Sequence, residues 1–234
     1  MRKISVAAAA FIALAAFCAP ASAATLVMDQ TGNDLTEVIH GTSGGTTTGT
    51  TLSLAGQNDN IPVQYSSSDI LSVTGSGVAQ VSASSGGFTD LTITPGSGTA
   101  FTAFKFNLGM PNFPGYSGTF NFDALVTFVG GGTQPFTNFS AGDGNGANRF
   151  TFAAQGTELI SKIQLSDLEG LLTKNKQPDI TGPFDFDTMK QASFDFAAIS
   201  GVPEPATWAE FILGFGLVGV MLRRRRSQAA AVPA

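Results

Sequence analysis

Along most of the chain the apolar residues fall on every second position. The clearest runs are Phe101-x-x-Phe104-x-Phe106-x-Leu108 and Phe120-x-Phe122-x-Ala124-x-Val126-x-Phe128. A period of two places such residues on one face of a strand. Shorter runs at 35–40, 61–65, 69–74, 78–83 and 88–94 are separated by Gly/Ser clusters, and 148–154, 158–165 and 192–199 repeat the theme. Segment 41–50 (GTSGGTTTGT) is too poor in apolar groups to build core and reads as a loop. Turn signals recur every 8–15 residues, a spacing that favours antiparallel strands over βαβ units. The pattern therefore predicts an all-β fold, an antiparallel β-sandwich of jelly-roll-like type. One helix of one or two turns is predicted at 167–174, where Ser166 and Glu169 have the spacing of a capping box.

The alternation stops at both ends. Arg2 and Lys3 precede an Ala-rich apolar run at 4–19, and Ala21-Ser22-Ala23 follows Pro20 as a small-x-small cleavage site. This is the layout of a secretory signal peptide, and cleavage is expected before Ala24. Phe17 stands where a lipid-attachment box would need a small residue, so Cys18 is not read as a lipoprotein cysteine. At the other end, Pro203-Glu204-Pro205 leads through Trp208, Ala209 and Glu210 into FILGFGLVGVML and then Arg223, Arg224, Arg225 and Arg226. The two prolines hold the chain extended, so no helix runs through them. Trp208 is the aromatic that prefers a membrane interface. Residues 206–222 would make about 25 Å of helix, short but sufficient for a membrane span. The arginines halt translocation and stay cytoplasmic. The expected organisation is a leader at 1–23, an exported domain at 24–200, a sorting segment at 201–226 and a disordered cytoplasmic tail at 227–234.

This tail resembles the PEP-CTERM sorting signal, in the variant written Pro-Glu-Pro-x-x-Trp-Ala. Pro203, Glu204, Pro205, Trp208, Ala209, the Gly-rich apolar run and the arginine cluster carry the resemblance; Glu210 departs from it, since the family usually has an apolar residue there. The resemblance covers about 30 residues. It implies that signal peptidase and then an exosortase, a polytopic membrane cysteine transpeptidase, act on the chain. The precursor would be anchored in the inner membrane of a Gram-negative cell and cut near the motif. The body would then pass to the envelope or extracellular matrix, where such proteins accompany exopolysaccharide and biofilm. The motif residues would be substrate for that enzyme and not catalytic groups of this chain.

Composition narrows what the body can do. Between the two ends lie six basic residues against 15 acidic ones, a net charge of −9. That balance lacks the electrostatic footprint of a nucleic-acid binder. Cys18 is the only cysteine and His40 the only histidine. The exported body therefore has no disulfide or thiol nucleophile, and zinc is not expected. Sixteen phenylalanines fall in the body against two tyrosines and no tryptophan, which favours core over a sugar-stacking face. Tyr65 and Tyr116 remain as candidate sugar contacts, the latter in the loop MPNFPGYSG at 110–118.

Four motifs are weighed against plainer readings. Gly214, Gly216 and Gly219 match G-x-G-x-x-G but sit in the apolar tail, outside the strand-turn-helix context a dinucleotide site needs. Asp143, Asn145 and Asn148 offer oxygens for a structural calcium, yet no EF-hand glutamate follows, and an Asx/Gly turn between strands explains them. Asp185 and Asp187 alternate with Phe184 and Phe186, so both carboxylates are expected on one side of a strand. Paired acids suit glycosidase chemistry, and solvent-facing aspartates on an amphipathic strand give the same pattern. His40 has no G-x-S-x-G elbow to serve and reads as a surface residue. The expectation is an exported non-enzymatic matrix protein without cofactor. The alternative is a carbohydrate-active hydrolase or glycan-binding module delivered by the same route.

Overall fold

The computed structural model describes residues 24–28, 35–41, 47–74, 77–142, 148–175 and 177–199. Thirteen strands and no helix run through them. They are β1 (Ala24–Met28), β2 (Glu37–His40), β3 (Thr47–Gly56), β4 (Pro62–Val73), β5 (Gln80–Ala83), β6 (Leu91–Pro95), β7 (Thr99–Gly109), β8 (Ser117–Phe128), β9 (Thr133–Gly142), β10 (Arg149–Ala154), β11 (Ile160–Lys174), β12 (Gln177–Pro183) and β13 (Thr188–Ala198). All pairings are antiparallel. The order is β1-β10-β7-β13-β2-β3-β4-β6-β11-β8-β9, with β12 beside β11 and β5 joining β13 to β4. A bridge between Ile160 of β11 and Phe101 of β7 brings the sheet back on itself.

The period-two phenylalanines fill the space this curl encloses. On β8 the buried set is Phe120, Phe122, Ala124, Val126 and Phe128, alternating with exposed or half-exposed residues as the pattern requires. Rings from β8 and β9 meet rings from β10. Phe122 lies 5.1 Å from Phe150, Phe139 5.5 Å from Phe150 and Phe136 5.7 Å from Phe152, all edge-on. Edge-to-face pairs of this kind add about 0.5–1.5 kcal/mol each beyond the area they bury.

On β7 the alternation fails in an informative way. Lys105 and Asn107 are buried as well as Phe104, Phe106 and Leu108. β7 lies between β10 and β13, and its second face is covered; the Asn107 amide donates to Gln191 Oε1 at 3.2 Å.

The predicted helix at 167–174 is not formed. Those residues belong to β11, which pairs with β8 on one side and β12 on the other. An isolated helix of eight residues is marginal, whereas here two strands satisfy the backbone. Ser166 and Glu169 flank a β-bulge instead of capping a helix, with Asp167 in the left-handed region at φ 52° and the Ser166 hydroxyl donating to its carboxylate. Gly170 marks a close approach, since a Cβ there would lie 2.6 Å from the Phe120 ring and 2.9 Å from Phe184.

Three strands had no clear sequence signal. β1 is short, and β9 and β12 carry Pro135 and Pro178, residues that sheets accept at their edges. The run at 41–50 is corrected in part, because 47–50 open β3, although none of the four is buried. The two short runs at 61–65 and 69–74 merge into β4, whose register jumps against β3 between Ser66 and Leu71.

One of the polar groups built into the core is a carboxylate. Glu37 on β2 is fully buried; its Oε2 accepts the backbone N–H of Asn58 at 2.9 Å and of Asp59 at 3.2 Å, in the turn from β3 to β4. Gly56 lies against this carboxylate, and a Cβ there would collide with Glu37 Oε2.

Candidate functional site

An open hollow with a volume of about 460 Å³ collects several of the residues singled out above. Three segments wall it: the Gly86-Gly87 turn, Pro111 to Phe113 in the loop after β7, and Pro183 to Asp187 between β12 and β13. The walls are tied together. Phe88 and Phe186 exchange backbone hydrogen bonds at 2.9 Å each way, and their rings stack at 5.5 Å. The Asp187 N–H donates to Gly109 O at 3.1 Å. Phe184 packs edge-on against Phe113 at 5.7 Å and Phe120 at 5.3 Å. Gly87 lets its turn lie on Asp185, since a Cβ at this position would strike the Asp185 Cβ and come within 2.7 Å of the Phe186 carbonyl.

Asp185 and Asp187, expected on one side of a strand, are instead in the connection between β12 and β13, where only Phe186 forms a β-bridge. The hollow brings them to a common surface all the same. Neither side chain has a hydrogen-bond partner among the described residues. Chemically, the cleft offers two anionic acceptors, the Asn112 amide and the edges of two phenylalanine rings.

The candidate sugar contacts fare differently. Tyr65 is corrected: it is fully buried between Leu52 and Ile93 in the sheet and reaches no ligand from outside. Its hydroxyl has no hydrogen-bond partner among the described residues, and burial pushes the phenol's pKa up. Tyr65→Phe is therefore expected to raise stability by about 1–2 kcal/mol in urea unfolding, because a buried donor without a partner is a net cost. A loss of stability would mean that a buried water serves the hydroxyl. The shift also sets the sign of a pH effect. The unfolded chain ionises this phenol above about pH 10 and the folded chain does not, so the native state then binds more protons and stability falls as pH rises. In a Tyr116→Phe protein the phenolate absorption band should stay absent at alkaline pH until the chain unfolds. Tyr116 itself is half-buried, with the Lys174 ammonium 5.2 Å from its ring centre.

His40 is half-buried and borders a second hollow of about 410 Å³ that also contains Ser53, Gln57 and Asn60. No hydrogen bond joins its imidazole to a serine or carboxylate among the described residues. Of the calcium candidates, Asp143 and Asn145 lie outside the described residues. Asn148 is buried, and its side chain is committed to Gly142: Oδ1 accepts the Gly142 N–H and Nδ2 donates to the Gly142 carbonyl, both at 2.9 Å. That amide closes the β9–β10 connection as a peptide group would. Among the described residues no three His, Cys, Asp or Glu side chains gather as a metal would require.

Ala21 and Ala23 of the expected leader, the motif Pro203, Glu204, Pro205, Trp208 and Ala209, the span expected at 206–222 and the arginines at 223–226 also lie outside the described residues. Ala24 lies within them, as the first residue of β1, and is 6% exposed. Its N–H donates to Gln134 Oε1 at 2.7 Å, and its carbonyl accepts from Gln134 Nε2 at 3.1 Å. Sequence reading had no means of finding Gln134, which is 110 positions away. Glu37 did leave a trace, since it shares the inward parity of Ile39. No family model, curated protein or solved structure matches the chain.

Proposed function

We propose that the chain is an exported, non-enzymatic protein of the cell envelope or extracellular matrix, delivered by an exosortase and linked to exopolysaccharide. Its body would be a jelly-roll-like sandwich made by folding the sheet over itself. The observation that carries this reading is the tail: Pro203-Glu204-Pro205, Trp208 and Ala209, then an apolar span and four arginines. Two features of the body support the boundaries. β1 opens at Ala24, the residue after the expected leader cut. β13 ends at Ala198, and the Ile199 N–H still bonds to Gly98 O at 2.9 Å, four positions before Pro203. The described strands thus fall between the two segments that this reading assigns to processing.

The test is Glu204→Ala in the native host, with mass spectrometry of the C-terminus. The substituted protein should stay in the inner membrane with an intact tail, as should the unsubstituted protein in cells lacking the exosortase. Export with trimming at the same bond would sink the sorting claim.

A second reading rests on the cleft, where Asp185 and Asp187 share one wall. A hydrolase using that pair would lose glycoside turnover by about 10²-fold or more in Asp185→Asn and Asp187→Asn. On the matrix reading the exported protein turns over no glycoside at all, and both variants leave its behaviour on polysaccharide-degradation assays unchanged.

A further inference from the structure

We propose that the amino group released by leader removal is a structural part of the fold: the Ala24 α-ammonium docks on Gln134 and closes the seam between the two end strands of the sheet. This rests on the reading of residues 1–23 as a cleaved leader.

The strand path ends at β1 on one side and β9 on the other, and no backbone ladder joins these two strands among the described residues. A strand edge left in this state is a template for pairing with other chains. Here the Gln134 side chain, on β9, takes the place of the missing ladder. A carboxamide carries the donor and acceptor of a peptide group, and both are used on Ala24, at 2.7 and 3.1 Å. Alternate residues of an antiparallel strand send their N–H and C=O to opposite sides. Because Ala24 sends both to Gln134, it faces the seam. Two positions further along β9, Phe136 crosses the same seam to Phe152 of β10, which pairs with Leu26 of β1. The clasp and the ring contact therefore lie side by side.

Cleavage changes what Gln134 holds. Before it, the atom at Ala24 is a neutral amide nitrogen. Hydrolysis of the Ala23–Ala24 peptide bond consumes one water and leaves a carboxylate on Ala23 and an amine on Ala24, which is protonated at neutral pH. Its hydrogen bond to Gln134 Oε1 then becomes charge-assisted, roughly twice as strong as a neutral one. The acidic body favours a cation there. Processing thus ends in a strengthened contact at the place where the sheet would otherwise be open.

The experiment uses the full chain, expressed with its leader and recovered after export. Mass spectrometry first reads its N-terminal residue. An amine-reactive reagent is then applied near neutral pH, where the α-amine reacts ahead of the lysines, to the native protein and to the same protein unfolded in urea. The native α-amine should label at least about tenfold more slowly than the unfolded one, the factor a hydrogen bond to a charged group supplies. Gln134→Met, similar in size but without donor or acceptor, should remove most of that protection. Gln134→Glu, which keeps an acceptor for the ammonium, should restore it; a side chain that merely filled space would show the opposite order. An N-terminus at Ala24 that labels equally fast in the native and unfolded states overturns the docking and leaves the cleavage reading intact. An N-terminus elsewhere overturns both. The comparison with urea needs no variant, so it decides the matter even if a substitution prevents export.

Discussion

Phe122→Ala is expected to lower the stability of the protein by about 3–5 kcal/mol, the usual cost of emptying a phenylalanine site in a packed core. Phe122 is fully buried on β8. Its ring meets Phe150 at 5.1 Å, Phe139 at 5.9 Å and Phe186 at 6.0 Å. Those partners belong to β10, to β9 and to the segment that walls the cleft, so the ring joins β9 and β10 to a segment more than 30 residues further along the chain. Most domains have only about 5–15 kcal/mol in total, and the variant should unfold at a much lower urea concentration. Phe139→Ala, at a half-buried position on β9, should cost less. Equal losses at the two sites would contradict the central place given to Phe122. The cleft offers a second readout: Phe186 stacks on Phe88 and holds the Gly86-Gly87 turn, so hydrogen exchange there should quicken in Phe122→Ala.

The second large effect concerns Glu37 and Gly56 as a pair. Gly56→Ala drives a methyl group into a carboxylate that two backbone N–H groups hold in place, and overpacking of this kind costs about 1–3 kcal/mol. Glu37→Ala loses those two hydrogen bonds and leaves a gap, a cost of similar size, about 1–3 kcal/mol. In the double variant the new methyl enters the space the carboxylate has left. The two losses should therefore fall short of additivity by about 1 kcal/mol or more, as expected for residues in contact. Urea unfolding of the four proteins measures this directly. Strict additivity would mean that Gly56 is required for its turn and not for the carboxylate.

The strands most legible in the sequence were those with one face in the core and one in solvent. On β8 the parity of five apolar residues matches their burial, because such a strand must sort its side chains between two media. β7 obeys the same rule less well, since it is covered on both faces and hides Lys105 and Asn107. β12 could not be read at all. Its residues QPDITGP have little apolar content, and the strand exists because β11 offers it a partner. The helix expected at 167–174 failed for the same reason: local capping geometry at Ser166 and Glu169 competes with two neighbouring strands, and the neighbours win. For the candidate site, Asp185 and Asp187 were legible as a pair. Their meeting with Phe113 and the Gly86-Gly87 turn was not, because those segments are distant in the chain.

The sequence by itself determined the β character of the body and its phenylalanine core, and it carries the end motifs on which the proposed processing rests. These are local properties: a period of two, a run of apolar residues and a proline pair act through near neighbours along the chain. Tertiary structure alone decided that Tyr65 is buried, that Glu37 holds the turn at Asn58 and that Gln134 meets Ala24. Such contacts depend on which strands the curled sheet sets side by side, and side chains over a hundred residues apart carry no mark of one another until the chain has folded.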